Sequence, residues 1–191
     1  MTEMKAAIID SAQRRMQAGG FAGLSFREVA SDVGVKSLSI HYHLPTKDDL
    51  GAAVIRRWTE NTLANIDRMF GKEQDPVAVW TKAFRRTAYS APHMCPCTVL
   101  AVSAHELPDK VTLEVKSFFR MCRDKMVSQG MTVEKATEFL AGITGAMVFA
   151  GAMRDSSEYD RATGSVGATG SSRKKKGSAH LPAPADAAVT P

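Results

Sequence analysis

Residues 36–47, KSLSIHYHLPTK, gather side chains that suit contact with a nucleic acid: Lys36, Ser37, Ser39, His41, Tyr42, His43 and Lys47. A lysine ammonium meets phosphate in a contact that weakens with salt, and short polar side chains let a helix approach a groove floor. Serine hydroxyls both donate and accept, so Ser37 and Ser39 individually discriminate little between bases. His41 and His43 stand two apart, whereas ligands sharing one helix face stand three or four apart, so the pair is not expected to hold a metal. Catalytic groupings are not found. The chain has no Gly-x-Ser-x-Gly, no P-loop, no His-Glu-x-x-His and no dinucleotide fingerprint. His105-Glu106, beside a proline, reads as a cation at a helix C-terminus. No enzyme activity and no cofactor are expected.

Positioning those side chains falls to residues 24–50, LSFREVASDVGVKSLSIHYHLPTKDDL. Phe26, Val29, Val33, Val35 and Ile40 recur at the offsets of a three-helix mini-core, and Ala30 stands where two helices cross closely. Gly34 takes the position where the chain must turn with φ above zero, which glycine does at little cost. This is the pattern of a helix-turn-helix, whose second helix lies in the major groove of DNA. Ser25 is placed as an N-cap, with Glu28 three residues on to complete a capping box. Leu44-Pro45 ends the short recognition helix over 37–43, since proline disfavours helix at the residue before it. Thr46 caps the next helix, and Asp48 and Asp49 in its first turn suit the helix dipole.

The rest of the chain is also helical in pattern. A one-sided stripe of Met4, Ala7, Ile8, Ala12 and Met16 predicts a helix over 3–18, ended by Gly19-Gly20. Further helices are predicted over 47–69, 75–89, 98–105, 109–128 and 132–153, with an irregular stretch at 90–97. No alternating strand pattern occurs. The fold class is all-α, divided into a helix-turn-helix head over 1–47, a helical body over 48–154 and a tail over 155–191. That tail, rich in Gly, Ser, Ala and Pro, lacks the large apolar residues a core needs and is expected to be disordered. Its basic run, 173–176, reads as solvated.

Composition bounds the class. Hydrophobic residues make up 44% and charged residues 24% of the 191 positions, as in an ordinary globular protein. No uninterrupted apolar run approaches the roughly 18 to 20 residues that span a bilayer. The N-terminus carries acids and an amphipathic pattern unlike a signal peptide, so a cytoplasmic location is expected. Net charge is +5, yet residues 1–70 hold nine Lys and Arg against eight Asp and Glu. Global charge therefore supports DNA binding only faintly, and the motif carries the reading.

A helix, a helix-turn-helix, the boundary Pro-Thr-Lys-Asp-Asp-Leu into a long helix and then an all-helical body resemble the TetR family of bacterial transcriptional repressors. The likeness is strong over 5–57 and weaker through MCPCTVLAVSAHELPDKVTLEVKSFF. It implies that Ser25 contacts a phosphate, and that Lys36, Ser37, Leu38 and Ser39 face base edges or backbone. Tyr42 and His43 would meet phosphates and Lys47 would clamp another. His41 stands where the family usually has Tyr, Leu44 where it has Phe, and Lys36 replaces the usual Ser cap, leaving Ser37 as an alternative cap. A single recognition helix reads few base pairs, so a homodimer on a near-palindromic double-stranded operator is the expected arrangement.

The family's body dimerises through its last two helices and encloses a pocket for a small-molecule effector. AGITGAMVFAGAM, small and apolar on nearly all sides, suits a close helix–helix interface. The family's ninth helix has only SSEYDRA to begin it here. Trp80, Phe84, Met94, Leu100, Phe118, Met121, Cys122, Phe139 and Met147 are candidates to line the pocket for an apolar or amphipathic effector, though each also suits a plain core.

Cys95, Cys97 and Cys122 form an odd set, which argues against a disulfide scaffold. Buried small hydrophobes are one reading of them. A thiol-redox switch is another, and a soft-metal site with His93 or Met94 is a third. An activator would use the same head as a repressor. A binding protein whose head has lost DNA affinity is opposed by Lys36, Tyr42 and Lys47.

Overall fold

In a computed structural model of the chain, which describes residues 3–89 and 94–164, every regular element is helical. The elements are α1 (Glu3–Gly19), α2 (Phe26–Val33), α3 (Ser37–His43), α4 (Lys47–Phe70), α5 (Pro76–Ala88), α6 (Pro96–Val102), α7 (Asp109–Ser128), α8 (Val133–Met153) and α9 (Ser157–Gly164). A single 3-10 turn, Ala104–Glu106, follows α6.

Local chemistry sets most boundaries. At α4, Thr46 Oγ1 accepts from the Asp49 N–H at 3.1 Å while the Asp49 carboxylate accepts from the Thr46 N–H at 3.1 Å. This reciprocal cap satisfies two donors that a helix start otherwise leaves open. Asp75 caps α5 by accepting from the Val77 N–H at 3.0 Å, with Pro76 as first helical residue. Thr132 accepts from the Lys135 N–H at 3.3 Å to open α8. Gly34 ends α2 with φ 74° and ψ 31°, and the Val35 N–H reaches back to the Ala30 carbonyl at 3.0 Å. This left-handed closure is what glycine at that position permits.

Three local expectations fail. Ser25 occupies the N-cap position of α2, but its side chain makes no capping bond, and Glu28 pairs with Arg15 of α1 at 2.8 Å instead. Neither alternative cap of α3 forms: Lys36 holds the N-cap position without a side-chain bond, and Ser37 is already the first helical residue. The helix predicted over 98–105 starts two residues earlier, at Pro96, and tightens after Val102, where the Ser103 N–H bonds the Leu100 carbonyl at 3.2 Å.

One apolar core runs without interruption from Ile8 in α1 to Tyr159 in α9. α4 is its spine. It packs on α1 at the head end and on α5 and α7 in the body. At Gly51 an added Cβ would stand 2.9 Å from the Phe21 ring and 3.2 Å from Val111, so this glycine lets the head loop and α7 close on α4 together.

α9 corrects the extent of the expected tail. Residues 155–164 are ordered against the body, with Tyr159 fully buried and its hydroxyl donating to the Thr81 carbonyl at 3.1 Å. Asp160 accepts two bonds from Arg85, at 2.6 and 2.7 Å, and one from Tyr89 at 2.7 Å. The remainder of that tail, with the basic run, lies outside the described residues, as does His93.

By length and composition α8 is apolar enough to cross a bilayer. It nonetheless buries Ala136, Phe139, Leu140, Ile143, Ala146, Met147 and Ala150 in the core. Its opposite face carries Val148, Phe149 and Met153 in the open.

Candidate nucleic-acid interface

Ile40 anchors α3 with its side chain wholly buried, and Leu44 closes the helix at 5% exposure. The rest of the helix is thereby turned outward: Lys36, Leu38, Ser39, His41 and Tyr42 are exposed, while Ser25, Ser37, His43 and Lys47 are half-buried. The His41 ring is committed locally. It lies 4.3 Å from the Phe26 ring, and its Nδ1 is 3.0 Å from the Pro45 carbonyl, which accepts from it. This imidazole thus braces the end of α3 where an outward contact was expected of it. Tyr42 and His43 meet edge to face at 5.0 Å. The Lys47 ammonium sits 4.7 Å from the Phe21 ring centroid, a cation–π contact that holds the start of α4 toward the α1–α2 loop.

Behind this surface, charge locks the helices together. Arg15 binds both oxygens of Asp32 at 2.9 Å as well as Glu28, and Ser11 Oγ donates to Asp32 at 2.5 Å. The Arg15 guanidinium, aided by Ser11, holds the Asp32 carboxyl well below its ordinary range, at about 2. Lys110 of α7 binds Asp49 at 2.7 Å and lowers its pKa too, so the cap of α4 is also a tie to the body. Arg57 of α4 pairs with Asp10 and donates to the Ala6 carbonyl at 3.1 Å, joining α4 to α1.

In the body, a cavity of about 210 Å³ lies between α4, α5 and the start of α6. Its wall is Trp58, Asn61, Thr62, Asn65, Ala83, Phe84, Arg86, Thr87 and Cys95. Of the nine residues expected to line a pocket, only Phe84 does so here. Trp80, Leu100, Phe118, Cys122, Phe139 and Met147 fill the core. Met121 is 43% exposed on the outside of α7, and Met94 is half-buried, with its carbonyl accepting from Gln17 of α1 at 2.8 Å. The α4 wall was missed, although Trp58, Asn61, Thr62 and Asn65 share one face at helical spacing. A half-polar stripe on a helix resembles a solvated face until α5 is seen to cover it. A wider groove of about 570 Å³ crosses α6, α7 and α8, with Val115, Phe119 and Leu140 on its floor and Lys116, Arg120 and Arg123 along it.

The cysteines differ from one another. All three are free and buried. Burial pushes the Cys97 and Cys122 thiols up. Burial acts the same way on Cys95, but hydrogen bonds from the Cys97 thiol and the Thr98 backbone outweigh it and bring that thiol below its ordinary value. Among the described residues no group of three or more His, Cys, Asp or Glu is arranged to hold a metal ion.

Residues 8–54 match the sequence model of the bacterial regulatory proteins, tetR family. No curated protein matches the chain. Among solved structures, a TetR transcriptional regulator from Legionella pneumophila is 24% identical, with a TM-score of 0.78 over 88% of this chain and 98% of that one. A TetR-family regulator from Agrobacterium tumefaciens is 26% identical, with a TM-score of 0.74 over 84% of this chain and 93% of its own. A TetR regulator from Chloroflexus aurantiacus shares 16% identity at a TM-score of 0.78, over 90% and 96% of the two chains. Residues 8–54 thus carry the helix-turn-helix of the tetR family of bacterial regulatory proteins, and the described residues share the fold of solved TetR-family transcriptional regulators.

Proposed function

We propose that the chain is a repressor that binds a palindromic operator as a homodimer and is released by a small apolar or amphipathic effector. The observation that carries this reading is the continuity of α4. Lys47, the expected phosphate clamp, begins the helix, and Trp58 on the same helix begins the cavity wall about 16 Å further along. A ligand seated against Trp58, Asn61 and Asn65 acts on the rod that places Lys47 and, through the Lys47–Phe21 and Arg57–Asp10 contacts, on the head. Next to Cys95 in that wall, Met94 is tied to Gln17 of α1, a second link from cavity to head. Release then follows from the effector's preference for a spacing of the two heads that DNA does not fit. The open apolar face of α8, with Val148, Phe149 and Met153, is the surface we assign to the two-fold partner.

DNA contacts are assigned to Ser25, Lys36, Ser37, Leu38, Ser39, Tyr42, His43 and Lys47, with His41 as a brace for the helix that carries them. Fluorescence anisotropy on the DNA upstream of the protein's own gene, under reducing conditions and with salt varied, tests the reading. Saturable binding at two protomers per palindrome, weakening steeply with salt, is expected. Affinity no better than for random DNA there, together with failure to enrich any site from a random library, would defeat it.

A thiol input is the second reading, favoured by the place of Cys95. That residue is in the cavity wall and is the one thiol of the three whose pKa is lowered. A Cys-to-Ser series on peroxide-treated protein separates the two: loss of DNA release in Cys95→Ser alone supports thiol sensing, and unchanged behaviour throughout returns the input to a non-covalent effector.

A further inference from the structure

The outward face of α3 is short of the side chains that usually identify bases. Between Ser37 and His43, SLSIHYH, there is no Arg, Lys, Asn, Gln, Asp or Glu, so none of the bidentate pairs that distinguish guanine from adenine can form from this helix. The hydroxyls of Ser37 and Ser39 accept and donate alike. His41 has spent its Nδ1–H on the Pro45 carbonyl and rests against Phe26. What the helix does present is apolar: Leu38 is 79% exposed and Tyr42 85% exposed.

These two stand four residues apart, hence side by side on one face, and each lies two residues from the buried Ile40, on the side of the helix away from the core. Two large adjacent side chains held in water are unfavourable unless something covers them. In the major groove the apolar group on offer is the 5-methyl of thymine. Lys36, exposed at the N-cap of the helix, and Lys47, at the start of α4, stand before and after it in the chain, and their charges suit phosphates.

We infer that Leu38, shielded by the Tyr42 ring, packs on a thymine methyl, so that each half-site carries thymine at a fixed position and is recognised there by an apolar contact. This rests on the DNA-binding reading above and adds the chemistry by which the site is told from other sequences. An apolar-for-methyl contact discriminates thymine from cytosine and from uracil, neither of which has the methyl group.

The test begins with duplexes enriched by the full-length protein from a random library, followed by replacement of thymine with uracil one position at a time. We expect one thymine per half-site whose methyl matters. Losing one buried methyl weakens binding about fourfold, and losing it in both half-sites about 15-fold. In Leu38→Ala the same duplexes should bind equally well with thymine or uracil at that position, with thermal stability unchanged because the side chain is exposed. Enriched sites with no invariant thymine, or no uracil effect at any position, would overturn the inference while leaving DNA binding intact. A uracil effect as large in Leu38→Ala as in the parent protein would overturn it as well. If no site is enriched, the DNA-binding reading falls and this inference with it.

Discussion

Around the recognition helix, position is held by charge and by full burial. Around the cavity, the wall is a row of modest side chains on one helix, faced by another. The head has Arg15 across Asp32 and Glu28, Lys110 on the Asp49 cap, Arg57 on Asp10, and Ile40 sealed beneath α3. The cavity has Asn61, Thr62 and Asn65 of α4 facing Ala83, Phe84 and Thr87 of α5 across unfilled space. Ion pairs with fixed geometry and a packed interior resist displacement, while side chains bordering a void lose few contacts when they move. The difference teaches that the surface proposed to read DNA is firmly packed, whereas the cavity wall is the part of the molecule with room to move.

The sharpest way to break this comparison is to remove the anchor of α3. Ile40→Ala should cost about 3 kcal/mol, read from urea denaturation, because a wholly buried side chain is lost from a tight site. Thr62→Ala at the cavity wall should change stability by less than about 0.5 kcal/mol. Equal losses at the two positions would mean that the head is no more tightly packed than the wall.

Gly51 comes next, since it lies where head and body meet. Gly51→Ala places a Cβ 2.9 Å from the Phe21 ring and 3.2 Å from Val111, and should lower stability by about 2 kcal/mol. A thermal midpoint equal to that of the parent would show that the loop and α7 can separate without cost.

Two neighbours at the start of α4 should divide structure from recognition. Thr46→Ala removes the reciprocal cap and should cost about 1 kcal/mol of stability. Lys47→Ala, which gives up the contact with the Phe21 ring, should cost less than about 1 kcal/mol of stability, weaken operator binding and reduce the slope of affinity against salt by about one ion. An unchanged salt slope would remove Lys47 from the DNA contacts.

The smallest effect is in acid. Asp32 has a folded pKa of about 2, below the ordinary carboxylate value of about 3.9, so the stability it lends is complete above that ordinary value. It is lost as pH falls from about 4 toward 2 and the carboxyl must take up a proton. Asp32→Asn should flatten that acid limb of a stability–pH curve, and a limb of undiminished steepness would assign it to other carboxylates.

Much of this is legible in the sequence. The ends of α7 and α8 fall at 128 and 153 as their spacing and caps predict, and Gly34 turns where only glycine turns easily. The cavity was not legible, because nearly every side chain suited to lining it also suits a core, and most of those nominated became core. For α9 the sequence offers only SSEYDRA as a beginning and places it within the tail, since the hold of this helix on the body is one buried tyrosine and one aspartate clasped by Arg85 and Tyr89. Each of those partners lies some seventy residues away in sequence.

By itself the sequence determined what depends on near neighbours along the chain: helical period, the cap at Thr46, the turn at Gly34, and which side of α3 packs toward the core. Tertiary structure alone decided what depends on partners far along the chain. It diverted Glu28 from capping α2 to Arg15, set the exposed His41 ring against Phe26 and the Pro45 carbonyl, and left a void beside Trp58. A hydrogen bond or ion pair goes to whichever partner the fold brings within about 3 Å, and spacing along the chain does not say which of several suitable partners that is.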